Sequence, residues 1–212
     1  MLSAREVMQV SKIIPVISVK SADEMLHLAE ALIKGGVNIF EITLRTSGAI
    51  EAIEAVVREF PNAVTGAGTV INIETFKAVE DVGAKFAISP GLTKSLAEFS
   101  QNSLMPLLPG VATASEIMSG LEYGFDVFKL FPATVVGGIP ALQALGGPFK
   151  DVLFCPTGGI NAENAKSFLD LPNVACIGGS WIVPRGLIEA KRFDEITQLT
   201  RKTVELLEDK NN

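Results

Sequence analysis

Among 212 residues the chain has one histidine, two cysteines, one tryptophan and one tyrosine. A single imidazole, His27, excludes a histidine-rich metal centre, and its place inside a helical apolar stripe predicts a surface or packing role. The thiols Cys155 and Cys176 both lie in strand-like apolar runs, which predicts two buried, reduced side chains rather than a disulfide scaffold. Trp181 and Tyr123 are too isolated to form a stacking platform. Basic runs are absent as well. Lys and Arg number 18 against 24 Asp and Glu, a net charge of −6, so no surface is expected to meet a nucleic acid. No apolar run approaches the roughly 20 residues of a membrane span, and "MLSAREVMQV" has no apolar signal core. A cytoplasmic protein without a membrane partner is expected. "GAGTVI" (Gly66 to Ile71) lacks the third glycine of a dinucleotide fingerprint, and no Walker A pattern occurs.

What is present is a hydrophobic fraction of 48%, enough for one substantial core and too little chain for two comfortable domains. A single domain over residues 1–212 is expected, with no linker or low-complexity stretch. Strand-like runs begin near Ile13, Ile39, Ala63, Phe86, Met105, Val127, Leu153 and Val174, roughly 19 to 26 residues apart, and most are followed by a turn and a helical pattern. Ser21 with Glu24 and Thr113 with Glu116 fit capping boxes, and Ile50, Ile53, Val57 and Phe60 line one helical face. Eight βα units predict a parallel sheet closed into a (β/α)8 TIM barrel. "SAREVMQVSK" reads as an extra N-terminal helix closing the bottom, and "ELLEDKNN" as the frayed end of the last helix.

Alternate side chains of a barrel strand point inward, so parity indicates which residues share the interior. In "NIFEITLR" (Asn38 to Arg45), Glu41, Thr43 and Arg45 share one parity and Phe40, Ile42 and Leu44 the other, which turns the polar set toward the axis. In "FDVFKLFPA" (Phe125 to Ala133), Val127, Lys129 and Phe131 point inward, while Phe128 and Leu130 suit the space beneath helices. Glu41, Arg45 and Lys129 are thus expected to converge. Two readings are open. In one, Glu41 and Lys129 form an interior ion pair that fills space while Arg45 snorkels outward. In the other, Lys129 condenses with a carbonyl compound, Glu41 moves protons at the adduct and Arg45 holds a substrate carboxylate. Burial beside Phe131 and the charge of Arg45 favour a neutral amine, whereas an ionised Glu41 opposes it. Thr69 either ends a strand as a turn residue or adds a hydroxyl to the carboxylate site.

"CPTGGI" (Cys155 to Ile160) and "CIGGSW" (Cys176 to Trp181) place paired glycines at the ends of the seventh and eighth strands. Each pair is either a tight βα turn or part of a phosphate cradle, since barrels commonly hold phosphate after those two strands. Ser180 offers a further hydroxyl, and Asn161 a helix cap.

"GVNIFEITLR" (Gly36 to Arg45), "GFDVFKLFPATVVG" (Gly124 to Gly137), "PTGGI" and "GGSW" together resemble the 2-keto-3-deoxy-6-phosphogluconate (KDPG) aldolases, including members that also cleave 4-hydroxy-2-oxoglutarate (KHG). The resemblance covers essentially the whole chain. It implies a (β/α)8 barrel, a class I aldolase of the Entner-Doudoroff route, a covalent lysine imine with no metal or other cofactor, a phosphorylated keto acid substrate and a homotrimer. It also implies that Lys129 is the Schiff-base lysine and Glu41 the proton-transfer group, and that Arg45 and Thr69 contact the pyruvate carboxylate. Pro90 and Phe131 would wall the keto-acid pocket. Thr157, Gly158, Gly159, Gly179 and Ser180 would lie along the substrate chain and phosphate. Two other classes fit parts of the pattern: a phosphosugar isomerase or epimerase using Glu41 as base, and a non-catalytic phosphate-ligand binding barrel.

Overall fold

The computed structural model describes residues 2–208, so Asp209 and the rest of the expected frayed end lie outside the described residues. Strands and helices alternate from the start. Helix α1 (Ala4–Gln9) is the expected extra helix: Ser3 and Glu6 close a capping box at its start, and Val7 and Met8 bury its inner side. It leads into β1 (Ile13–Ile17), α2 (Ala22–Lys34), β2 (Ile39–Thr43), α3 (Ala49–Glu59), β3 (Val64–Gly68), α4 (Ile73–Asp81), β4 (Ala87–Ile88) and α5 (Lys94–Ser100). The second part comprises β5 (Leu107–Leu108), β6 (Gly110–Val111), α6 (Ala114–Glu122), β7 (Val127–Leu130), α7 (Gly138–Gly146) and β8 (Leu153–Phe154). It ends with α8 (Ala165–Leu169), β9 (Ile177–Gly179), α9 (Arg185–Glu189) and α10 (Phe193–Glu208).

All strand pairs are parallel. One sheet has six strands in the order β5-β4-β3-β2-β1-β9, and a second has three in the order β6-β7-β8. The expectation of eight strands in one closed ring therefore meets a six-stranded curled sheet and a smaller companion. The strand expected near Met105 appears in two pieces, because Pro109 between them has no N–H for the ladder. Pairing changes sides there: β5 bonds to β4, while β6 bonds to β7.

The helices bury one face each, as their apolar spacing requires. In α3 that face differs from the expected one. Ala49, Ala52, Ile53 and Val56 are buried, whereas Ile50, Val57 and Phe60 are only half-buried, because the alanines let the helix axis come close to the sheet. Thr113 and Glu116 form the expected capping box of α6; Ser21 caps α2 through the Glu24 N–H, but the Glu24 carboxylate accepts from the Lys20 N–H instead. Phe128 lies outside the sheet as predicted, its ring against Gly120 of α6 where no Cβ would fit. His27 stacks on Phe193 with ring centroids 5.4 Å apart, a packing role. Cys155 and Cys176 are free and buried, as expected. No helix among the described residues is long and apolar enough to cross a membrane.

Candidate active site

Strand β2 is buried at every position, yet it contains Glu41 at 1% exposure. Parity explains how: Phe40 and Ile42 face the helices, and Glu41 faces the interior. From β7, Lys129, at 5% exposure, donates from Nζ to Glu41 Oε1 at 2.8 Å. Its amino group also lies 5.4 Å from the centroid of the Phe131 ring, so of the expected converging groups Lys129 and Glu41 meet, with Phe131 beside the lysine. No other ion pair among the described residues is buried on both sides, and isolated ions of this kind lose several kcal/mol of hydration each.

Strand β3 makes room for this pair. Its sequence VTGAG follows Val64 with glycine at the next two positions of the same parity, Gly66 and Gly68, and neighbouring side chains lean across the bare backbone. The Phe86 ring occupies the space over Gly66, and the Glu41 carboxylate that over Gly68. Thr69 follows at once with φ +63°, a left-handed conformation that is costly for a β-branched residue and that concentrates at functional sites. The backbone carbonyl of Pro90 packs against Gly110, whose register partner on β7 is Lys129.

Arg45 stands apart from the pair. It is exposed at the end of β2, and its guanidinium makes no hydrogen bond or ion pair with any described residue. It borders a cavity of about 430 Å³ together with Thr43, Thr46, Ser180 and residues of β1 and α9. Lys129 and Glu41 do not line that cavity. The expected convergence is thus a buried pair in the interior and an unpaired cation at the neighbouring mouth. Lys20 and Arg185, both held by Glu189 at 2.9 and 3.0 Å, border the same cavity and were not among the expected site residues. These contacts keep the Glu189 carboxyl below its ordinary range, the Lys20 hydrogen bond contributing most.

The two glycine pairs differ. Gly158 and Gly159 have φ of +101° and +78°, so they form a true turn that L-residues resist. That turn is tied to the segment after β7 by Ala133 N–H donating to the Thr157 carbonyl at 2.8 Å and Thr134 N–H to that of Gly158 at 3.1 Å. Gly178 and Gly179 instead belong to β9 itself, paired with Ile14 and Pro15, and the second pair is therefore not a loop. Their missing side chains leave space for Thr157 and for the Trp181 ring, respectively. Asn161 does not cap α8, whose N-cap is Asn164; its Oδ1 instead closes the turn before that helix, accepting from the N–H groups of Glu163 and Asn164 at 3.0 and 3.1 Å. Thr157 is bridged to Gly178, which brings the two glycine segments side by side near exposed Ser180.

Cys155 and Cys176 also share this interior. Hydrogen bonding between the thiols and then burial push the Cys176 thiol well above its usual range. Among the described residues no three His, Cys, Asp or Glu side chains gather as a metal-ligand group.

Parallel strands that carry a lysine and a carboxylate inward, with polar groups at the strand ends, have the layout of α/β enzymes whose chemistry sits at the C-terminal ends of the strands. Comparison with known proteins narrows this. Residues 4–199 match the model of the family described as KDPG and KHG aldolase. The chain is 48% identical over 203 residues to the KHG/KDPG aldolase of Escherichia coli K12, covering 96% of this chain and 95% of that one. A crystal structure of KDPG aldolase from Legionella pneumophila, with pyruvate captured as a covalent carbinolamine, superposes with a TM-score of 0.95 at 49% identity, over 96% and 98% of the two chains. The Zymomonas mobilis enzyme with 3-phosphoglycerate does so with a TM-score of 0.88 at 41% identity, over 95% and 94%. The chain belongs to the KDPG and KHG aldolase family.

Proposed function

We propose that this chain is a class I aldolase that cleaves 2-keto-3-deoxy-6-phosphogluconate to pyruvate and glyceraldehyde 3-phosphate, and also 4-hydroxy-2-oxoglutarate to pyruvate and glyoxylate. The observation that carries this is the 2.8 Å contact between Lys129 Nζ and Glu41 Oε1 in a buried interior. Passing one proton along it converts an ammonium and a carboxylate into a neutral amine and a carboxylic acid, the two forms that carbonyl addition needs. The Lys129 amine then adds to the C2 ketone, and Glu41 protonates the departing C2 oxygen so that water leaves and an iminium forms. Loss of the C4 hydroxyl proton breaks the C3–C4 bond; its electrons move onto nitrogen, the aldehyde departs, and an enamine remains. Protonation at C3 and hydrolysis return pyruvate and the free amine. The iminium supplies the electron sink, so the cleavage needs no metal.

Arg45, unpaired at the mouth, suits the substrate carboxylate, with Thr69 adding a hydroxyl, and Pro90 and Phe131 wall the keto-acid pocket. The turn at Thr157, Gly158 and Gly159, with Gly179 and Ser180, suits the phosphate end. The wider reading is one domain over residues 1–212 whose strands close as a (β/α)8 barrel, with β5 and β6 as one stave. The bridges from Phe154 to Val174 and from Thr157 to Gly178 support that closure, because they join the β8 segment to the β9 segment. A cytoplasmic homotrimer completes it, on the family resemblance. Borohydride reduction in the presence of pyruvate tests the chemistry: the wild-type chain gains a reduced pyruvate adduct at Lys129, and Lys129→Ala gains none. Trapping that survives Lys129→Ala overturns the assignment. An isomerase or a binding barrel forms no reducible imine.

A further inference from the structure

We infer that Gly68 is a positioning residue for the Glu41 carboxylate: its bare Cα is the seat that holds the proton-transfer group against the lysine. The inference rests on the aldolase reading above. A Cβ placed on Gly68 would meet Glu41 Cγ at 2.7 Å and Cδ at 2.8 Å, and Oε1 more closely still. Oε1 is the atom that accepts from Lys129 Nζ. The three atoms nearest to that position all belong to Glu41.

Two further facts make the effect specific. The φ of Gly68 lies outside the left-handed region, so alanine suits the backbone there. Gly68 also pairs with Thr43 in the regular β2–β3 ladder, so the strand needs no glycine for its own conformation. What gives way to an added methyl is the end of the Glu41 side chain. Non-bonded carbons separate to about 3.5 Å or more, which displaces the carboxylate by roughly 1 Å from the amine. The glycines of "GAGTVI" thereby acquire a role unrelated to nucleotide phosphates. The neighbouring Gly66 does the same for the Phe86 ring, a packing contact.

The test is a double-mutant cycle between Gly68→Ala and Glu41→Ala, read by kcat, by KM and by the rate of pyruvate adduct formation under borohydride. Misplacing a catalytic group by about 1 Å costs on the order of 100-fold. Gly68→Ala is expected to lower kcat by about that factor with KM changed little. In the Glu41→Ala background, where the new methyl meets open space, it is expected to change kcat by less than about twofold, because residues acting through one another are non-additive. Equal losses in both backgrounds overturn the inference, as does a single variant with wild-type kcat. If Gly68→Ala alone does not fold, circular dichroism and the melting temperature of the Glu41→Ala double variant decide: restored folding supports the steric seat, and persistent unfolding overturns it. A wild-type chain that forms no borohydride adduct refutes the aldolase reading itself, an outcome distinct from any of these.

Discussion

Strand β7 and the residue before it carry two ion pairs of similar length in opposite surroundings. Asp126, at the strand entrance, accepts from Arg5 Nη2 at 2.6 Å, and the two side chains are 54% and 39% exposed. Three residues on, Lys129 meets Glu41 at 2.8 Å with side-chain exposures of 6% and 2%. Water screens the outer pair, which docks α1 under the sheet and is worth about 0–1 kcal/mol. The inner pair loses the hydration of two charges, and its attraction at best offsets that loss. Docking explains the first. Stability does not explain the second, whereas the proposed chemistry at the lysine does.

Removing Lys129 has the largest expected effect. Lys129→Met abolishes turnover and, by leaving Glu41 buried alone, lowers unfolding stability by about 3–5 kcal/mol in urea titration. The double variant Lys129→Met with Glu41→Leu is equally inactive but at least as stable as the parent. A double variant as unstable as the single one would mean that the pair holds the fold, and the contrast with Arg5–Asp126 would collapse. Next comes Glu41→Gln, which keeps the shape and removes the proposed proton shuttle. Turnover is expected to fall about 10²–10⁴-fold while pyruvate affinity, from single-turnover kinetics, changes far less.

A third test uses the other buried pair in the same interior, the thiols of Cys155 and Cys176. The folded-state pKa of Cys176 is raised, so its contribution is fully present below the ordinary thiol range. It is lost as pH climbs above that range, because the unfolded chain then releases a proton that the fold retains. Unfolding free energy measured from pH 7 to pH 10 is expected to fall more steeply for the wild type than for Cys176→Ala, by up to about 1.4 kcal/mol per pH unit. Equal slopes would show that the thiol ionises freely. The smallest effect belongs to the outer ion pair: Arg5→Ala is expected to cost at most about 1 kcal/mol at low salt, less at high salt, with kcat unchanged.

The parity of two strands was enough to place Glu41 and Lys129 on inner faces, because alternation has a period of two wherever a sheet is covered on its outside. Phe128 under α6 was readable for the same local reason. Harder to read was anything that depends on how close two backbones come. "GG" looks alike at 158–159 and 178–179, yet one pair is a positive-φ turn and the other sits in a strand against Thr157 and Trp181. Gly66 and Gly68, two apart in a strand, signal bare interior positions, but only the side-chain packing shows that the Glu41 carboxylate lies over Gly68, since the register pairs Glu41 with Gly66. The cavity residues Lys20 and Arg185 come from tertiary arrangement that no local pattern encodes, whereas Pro109 was a local signal for the interruption of its strand.

Trp181 is the only tryptophan in the chain, and its ring rests on Gly179, one residue before the exposed Ser180 hydroxyl. The protein therefore carries a fluorophore at the rim of its own mouth. Emission from this indole, excited apart from the single tyrosine, is expected to shift when a ligand occupies the cavity at Ser180, and to do so even in variants whose chemistry has been silenced.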